Sequence, residues 1–204
     1  MLNISTSLRL ILGFLVIFSI SANSSAETEK KKKHSNLTKG IFLVASEQMQ
    51  NSPMSKTVIY ITQHDEAGTS GFIINRPTNL QINQAFPETH ASTSSNKMLY
   101  FGGPLHSRYL FMLTQTQFTH GLHAIKSNVY FGAGEEVQMR LRSENTRDKI
   151  RTYAGFMSWG PEQLNTEIDQ GDWILTPASI DQLFNQDTKD LWKNLIKRWG
   201  GSWI

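Results

Sequence analysis

Short apolar runs, separated by glycine, proline and polar residues, recur along the chain from about residue 40 onward. Runs of this kind that end at turn residues are typical of buried strands. The first three lie so close together that they predict an antiparallel meander, because βαβ units need longer connections. These three are 40–45, 57–62 and 71–74, and later runs predict strands at 98–101, 109–113, 129–131, 149–157 and 172–175. Polar stretches predict loops at 64–70 and 90–96.

Apolar positions three or four residues apart predict helices between these strands. The clearest start follows Trp159, where Gly160 is placed as the N-cap and Pro161 as the first helical residue. Glu167 lies on the polar face of that helix and is predicted to face solvent. Trp159 and Trp173 flank it and are predicted to be anchors in the core. Further helices are predicted at 80–86, 135–142, 177–184 and 188–199.

The N-terminus has the layout of a targeting segment. A largely apolar stretch from Leu10 to Ile20 is followed by small residues that end at Ala26. This layout is typical of a cleavable secretory signal, so residues 1–26 are predicted to be a signal peptide and the protein to be exported or periplasmic. An uncleaved membrane anchor is the alternative, because lysines beside an apolar segment tend to stay cytoplasmic.

A polar linker, residues 27–36, follows the predicted signal. Its lysines are able to contact an anionic membrane surface. They are Lys30, Lys31, Lys32 and Lys33.

Composition excludes some classes of chemistry. The chain has no cysteine, which excludes disulfides, thiol nucleophiles and iron–sulfur clusters. Its net charge of +3 belongs to the N-terminal tail. From His34 onward, basic and acidic residues are equal in number. The charged residues before His34 are Arg9, the four lysines of the linker, Glu27 and Glu29. A neutral body disfavours DNA binding, which depends on a basic surface.

The apolar run 71–74 ends on Asn75 and Arg76, so a core strand delivers an amide and a guanidinium at its end. In the functional interpretation, Asn75 and Arg76 bind a small anionic ligand that the bare backbone of Gly102 and Gly103 approaches. In the structural alternative, Arg76 braces a loop by hydrogen bonds to a carboxylate or to carbonyl groups. The two glycines then form only a tight turn.

Catalytic signatures are absent from the sequence, which contains no nucleophile elbow, phosphate loop or zinc-helix motif. Two histidines are candidates for a general base: His64, which precedes Asp65, and His106, which follows the Gly-Gly-Pro turn. His120 and His123 have a spacing that suits a metal, but no carboxylate lies nearby in sequence, which favours surface histidines. No metal site and no cofactor are predicted.

Several of these segments follow one another in a consistent order from residue 37 to the C-terminus. They are GIFLVA at 40–45, TVIY at 57–60, GFIINRP at 71–77, GGP at 102–104 and YAGFMSW at 153–159, followed by Pro161, Gln163, Leu164, Glu167, Ile168, Gly171 and Trp173. In this order they resemble the AlgH/YqgE family. Glu162 departs from the family pattern, in which a glycine is common after the proline.

The resemblance implies an α+β fold over residues 37–204. It implies a single compact domain of coiled, partly bifurcated, mostly antiparallel β-sheets with helices packed outside. It implies little about activity, because members are mostly uncharacterised and the name reflects a proposed regulatory role in alginate production. It supplies no catalytic residues. Members are mostly cytosolic or plastid proteins, so a cytoplasmic location is a further alternative to export.

Three functional hypotheses follow. The first is a non-enzymatic binding or regulatory protein that recognises an unknown protein or a small anionic ligand near Asn75 and Arg76. The second is a hydrolase or transferase with His64 or His106 as a general base. The third is an architectural subunit of a protein complex. The absence of a nucleophile or metal set favours the first.

Overall fold

The computed structural model describes residues 36–89, 98–116, 121–142, 149–185 and 187–199. Residues Thr38–Ile204 form one compact unit. The predicted signal segment, nearly all of the linker, the predicted loop at 90–96 and His120 lie outside the described residues.

The described residues form ten strands, five α-helices and three short 3₁₀ helices. The strands are β1 Ile41–Ala45, β2 Val58–Asp65, β3 Gly68–Ile73, β4 Pro77–Gln81, β5 Met98–Phe101, β6 Leu105–Thr114, β7 Leu122–Lys126, β8 Val129–Ala133, β9 Ile150–Trp159 and β10 Trp173–Pro177. The α-helices are α1 Ile82–Ala85, α2 Glu135–Arg142, α3 Gln163–Asp169, α4 Ile180–Phe184 and α5 Leu191–Trp199. The 3₁₀ helices are Glu47–Asn51, Pro87–Thr89 and Thr188–Asp190.

The strands lie in the order β10-β1-β2-β3-β9-β6-β8-β7, and β4 and β5 leave this path beside β9. The predicted meander is confirmed, because β1, β2 and β3 pair antiparallel in sequence order. Of the pairings between described strands, only that of β5 with β9 is parallel. β1 is buried along its whole length, as expected for a continuous apolar run.

Strand β9 belongs to two parts of the sheet at once. Its last residues pair with β3, with Thr69 opposite Trp159. Further back, Thr152 pairs with Leu99 of β5 on one side and with Met112 of β6 on the other. The sheet therefore divides at β9, and the protein has the curled, mostly antiparallel α+β architecture in a single compact domain that the resemblance implies.

The connection from β5 to β6 crosses β9 at very short range. The amide of Gly102 donates to the carbonyl of Ala154 at 2.9 Å, and the carbonyl of Gly102 accepts from the amide of Ile73 at 2.9 Å. A Cβ atom on Gly102 would collide with the carbonyl oxygen of Gly155, and one on Gly103 with the backbone of β9. Glycine is therefore required here because two backbones approach each other without room for a side chain.

Helices cover two apolar clusters of the sheet. Helices α4 and α5 pack on the first cluster, and the indole N–H of Trp192 on α5 donates to the carbonyl of Ala45 on β1 at 2.7 Å. The second cluster lies beneath α1 and α2 and includes Ile82, Leu110 and Val137. Among the described residues, no helix is long and apolar enough to cross a membrane.

The predicted loop at 64–70 is wrong, because this segment is a β-hairpin. β2 continues to Asp65 and β3 begins at Gly68, with these two residues paired. The carboxylate of Asp65 accepts the amide of Ala67 and closes the turn. Polar side chains concealed the hairpin because strands that extend into solvent do not need apolar residues. Strands β4 and β7 were not predicted for the same reason.

Helix α3 begins later than predicted. It starts at Gln163, and its N-cap is Glu162 instead of Gly160. Glu162 has a φ of 60°, a left-handed conformation that glycine adopts more readily.

Glu167 does not extend freely into solvent, so that prediction is also wrong. Its Oε2 accepts the indole N–H of Trp159 at 2.9 Å and that of Trp173 at 2.8 Å. Both indoles are buried, as predicted. One carboxylate thus satisfies two buried donors, which otherwise would lack hydrogen-bond partners.

A Gly102→Ala substitution tests the backbone crossing. We expect it to lower the free energy of unfolding by about 3 kcal/mol, because β9 must shift to admit the new methyl group. Gly160→Ala is the matched control, since a Cβ there meets open space, and we expect it to stay within about 0.5 kcal/mol of the wild type. Urea denaturation followed by tryptophan fluorescence measures both. Equal stabilities of the two variants would contradict the crossing.

Candidate functional site

The side chain of Asn75 continues the pairing of β3 with β2 after β3 ends. Its Oδ1 accepts the amide of Val58 at 2.8 Å, and its Nδ2 donates to the carbonyl of Lys56 at 2.8 Å. The amide group therefore acts as a substitute for one more backbone pair. Both polar atoms of Asn75 are engaged within the protein.

The guanidinium of Arg76 points at the segment that precedes β2. Its Nη2 lies 2.6 Å from the carbonyl oxygen of Pro53, 2.7 Å from the hydroxyl of Thr57 and 3.4 Å from the carbonyl oxygen of Ser55. Partial burial lowers the pKa of the Arg76 guanidinium from its ordinary value. These contacts match the structural alternative, in which the guanidinium binds carbonyl groups and braces a loop.

A cleft of about 830 Å³ lies elsewhere, on the side of the sheet where β2 and β3 face β6, β7, β8 and β9. Its residues come from six strands and from the segment before β1. They are Lys39, Thr62, Gln63, His64, Asp65, Ser70, Phe72, Phe111, Leu122, His123, Ala124, Phe131 and Phe156. The volume falls within the range of small-molecule sites, about 300–1,000 Å³.

Four phenylalanine rings form the apolar wall of the cleft. Phe72 contributes the innermost ring, which is 2 % exposed, and its centroid lies 5.8 Å from that of Phe111 and 5.7 Å from that of Phe131. Phe111 also meets Phe156 edge to face at 5.5 Å. Phe111, Phe131 and Phe156 are half-buried, so they present ring surface to the cleft.

Two histidines extend this aromatic surface. The ring of His123 lies 5.8 Å from that of Phe131 at an angle of 28°. The ring of His106 stacks on Phe156 at 5.6 Å and 6°. His106 has a φ of 52°, which residues other than glycine seldom adopt. His106, a candidate for a general base, thus contacts the ring of a cleft residue, whereas the Arg76 guanidinium binds the 53–57 segment.

The other candidate base, His64, lies at the rim of the cleft. Its Nδ1 is 2.8 Å from the hydroxyl oxygen of Thr69. The carboxylate of Asp65 accepts the side-chain amide of Gln63 at 2.7 Å and the amide of Ala67 at 2.9 Å. These hydrogen bonds hold the pKa of Asp65 below its usual value, with the Gln63 bond the larger cause. Asp65 therefore closes the hairpin turn and does not orient His64.

A β-bulge at Thr62 determines which residues of β2 reach the cleft. Ile61 lies opposite Gly71 and Gln63 lies opposite Ser70, so Thr62 is an extra residue in the ladder. After the bulge, Gln63 takes the face of the sheet that Phe72 occupies. Bulges commonly redirect side chains in this way beside functional sites.

Lys39 joins two sides of the cleft. Its ammonium donates to the carbonyl of Ala124 on β7 at 3.2 Å, while the amide of Gly40 donates to the carbonyl of Ile61 on β2 at 2.8 Å. The segment before β1 therefore bridges β7 and β2 and holds a positive charge at the rim. Within the described ranges, no three His, Asp or Glu side chains lie together as a metal site requires.

A family model described as AlgH-like matches residues 42–204. The chain belongs to the AlgH-like family. Among its relatives, a UPF0301 protein of Corynebacterium glutamicum is 32% identical over 166 residues, covering 78% of this chain and 86% of that protein. A UPF0301 protein of Cytophaga hutchinsonii is 28% identical over 172 residues, covering 82% of this chain and 92% of that protein.

Solved structures of related proteins share the fold of this AlgH-like chain. The solution structure of the AlgH protein from Pseudomonas aeruginosa aligns with a TM-score of 0.67 at 22% identity, covering 78% of this chain and 87% of that one. A crystal structure of a Corynebacterium diphtheriae protein aligns with a TM-score of 0.64 at 23% identity, covering 81% of this chain and 89% of that one. Membership shows the fold of the protein and assigns it no reaction.

Sequence reasoning missed most of the cleft of this AlgH-like protein. It selected His64 but not His123 as a site residue, and it did not select Lys39 or the phenylalanines. One local signal was present, because glycine adjoins Phe72, Phe131 and Phe156 in sequence. That signal gains meaning only once the strand order is known, since it is the curl of the sheet that gathers these rings.

An Arg76→Ala substitution separates bracing from ligand binding. We expect it to lower the free energy of unfolding by about 2 kcal/mol, because two carbonyls and the Thr57 hydroxyl lose their charged donor. Arg108→Ala is the matched control, since Arg108 is exposed, and we expect its unfolding midpoint to stay at the wild-type value. Unchanged stability of Arg76→Ala would overturn the bracing role.

Proposed function

We propose that this AlgH-like protein is a non-enzymatic binding protein with a regulatory output, and that it holds a small molecule in the aromatic cleft. One observation carries the proposal. Three half-buried phenylalanine rings face a cleft of about 830 Å³ whose rim is polar. Small-molecule sites have this composition, an apolar wall with a few polar groups that set orientation.

The side-chain contacts favour this cleft over the site near Asn75 and Arg76. The polar atoms of Asn75 and the Nη2 of Arg76 bind backbone or hydroxyl groups of the protein. The backbone of Gly102 and Gly103 faces β9, so it is not bare toward a ligand. A ligand at that site would have to replace these contacts, whereas the cleft offers ring surface that is already exposed.

The contacts also favour binding over catalysis. A general base acts on a nucleophile that is accessible to substrate, and a third group usually orients the base. His64 meets the hydroxyl of Thr69, which is only 5% exposed. Asp65 accepts from Gln63 and Ala67, and the hydrogen bond of the His64 ring within the described residues goes to Thr69 and not to a carboxylate. Among the described residues, the hydrolase alternative therefore has a candidate base in His64, but the contacts of His64 include neither an accessible nucleophile nor an orienting carboxylate.

An Ala124→Trp substitution tests the proposal by filling the cleft. Ala124 is exposed on β7 and lines the cleft, so an indole there displaces a bound molecule without removing a core contact. We expect saturation-transfer NMR with a library of ring-containing fragments to give hits with the wild type and to lose them with Ala124→Trp. Ala133→Trp is the matched control, because Ala133 is exposed on β8 and does not line the cleft.

Two outcomes would contradict the proposal. Fragments that still bind Ala124→Trp but no longer bind Arg76→Ala would show that the site lies at the end of β3. Turnover of an ester or phosphoester panel that disappears in His64→Ala would favour the hydrolase. Circular dichroism of each variant confirms that loss of binding does not reflect loss of fold.

A further inference from the structure

We propose that the ligand of this cleft is a planar ring system that carries one acidic group. The proposal rests on the proposed function, since it names the chemical class that the same cleft takes. The rings of the ligand lie against the half-buried phenylalanines, and its acidic group lies at the rim formed by Lys39 and His123.

The geometry of the rings favours a flat ligand. Two stacked ring pairs involve phenylalanines of the cleft: His123 with Phe131 at 28°, and His106 with Phe156 at 6°. The Phe111 ring lies between them, 6.2 Å from Phe131 and 5.5 Å from Phe156. Aromatic rings prefer offset-stacked or edge-to-face contacts at about 4.5–7 Å between centroids. A planar ligand continues this pattern, whereas a saturated ring system or an alkyl chain does not.

The distribution of charge places the acidic group at one rim. The Lys39 ammonium lies 3.2 Å from the carbonyl oxygen of Ala124, which follows His123 directly on β7. His123 lines the same cleft, and an ammonium and an imidazole N–H both donate to an anion.

The hairpin end of β2, which also lines the cleft, repels an anion. Asp65 is the acidic residue that lines the cleft, and its two oxygens accept from Gln63 and from the amide of Ala67. Both bonds favour the ionised carboxylate. Lys39 and Asp65 therefore give the lining of the cleft one positive and one negative charge, and an acidic group takes the Lys39 side.

Three probes of similar size separate planarity from charge. They are 2-naphthoate, 2-naphthalenemethanol and decahydro-2-naphthoate, which are respectively planar and anionic, planar and neutral, and saturated and anionic. Each is titrated into the full-length protein at pH 7.5 and its Kd is measured by ligand-detected NMR. We expect the Kd of 2-naphthoate to be lower than that of either other probe by about tenfold or more, because one charge-assisted contact or one set of ring contacts is lost in each comparison.

Variants at two lysines locate the charge. Lys39→Gln keeps a hydrogen-bond donor but removes the charge. We expect it to raise the Kd of 2-naphthoate by about tenfold and to leave the Kd of 2-naphthalenemethanol unchanged. Lys126→Gln is the matched control, because Lys126 is an exposed residue of β7 that does not line the cleft. We expect it to leave both Kd values at their wild-type levels.

Failure of this inference differs from failure of the proposed function. Equal Kd values for 2-naphthoate and either other probe would overturn the planar, acidic class, while the loss of fragment hits in Ala124→Trp would still support the cleft. If fragments bind but none of the three probes does, the planar, acidic class is overturned and the proposed function is not. A fragment screen without hits would overturn the proposed function and this inference together.

Discussion

The architecture depends on one close approach of backbones, where the connection from β5 to β6 crosses β9. Gly102 bonds to Ile73 on one side and to Ala154 on the other, so a single residue ties β3, the connection and β9 together. A side chain at this point would separate the strands. The same crossing makes the sheet curl, and it stacks the ring of Phe72 on that of Tyr153 at 4.9 Å. The aromatic cleft follows from this curl, because its rings come from strands that a flat sheet would hold apart.

The segments that carry the family resemblance meet at this crossing. Residues 71–77 supply β3 and the brace at Arg76, residues 102–104 supply the crossing, and residues 153–159 supply the strand being crossed. Their order in the sequence thus reflects one packing requirement in the fold. The contacts of Asn75 and Arg76 are also structural, because both side chains complete the edge of the sheet where β3 stops. Much of the cleft rim, including Lys39 and His123, lies outside these segments.

The sequence predicted the buried strands well and the surface strands poorly, for a physical reason. β1 and the first half of β2 are buried on both faces, so their apolar runs are continuous and easy to recognise. The second half of β2 extends into solvent, and its polar residues resembled a loop. Glu167 shows the same limit, since its two indole donors lie on β9 and β10 and only the packing of α3 against these strands brings them to one carboxylate. The cleft could not be predicted because its residues come from six strands whose order the chain does not reveal.

The central claim is that the protein binds its ligand in the aromatic cleft while the end of β3 serves as a brace. Backbone amide shifts in ¹H–¹⁵N correlation spectra, recorded during a titration with 2-naphthoate, test it most directly because they report both places in one experiment. We expect the shifts to concentrate in residues 62–65 and 122–124, which line the cleft. Shifts concentrated instead in residues 53–57 and at Arg76, with the cleft residues unmoved, would contradict it.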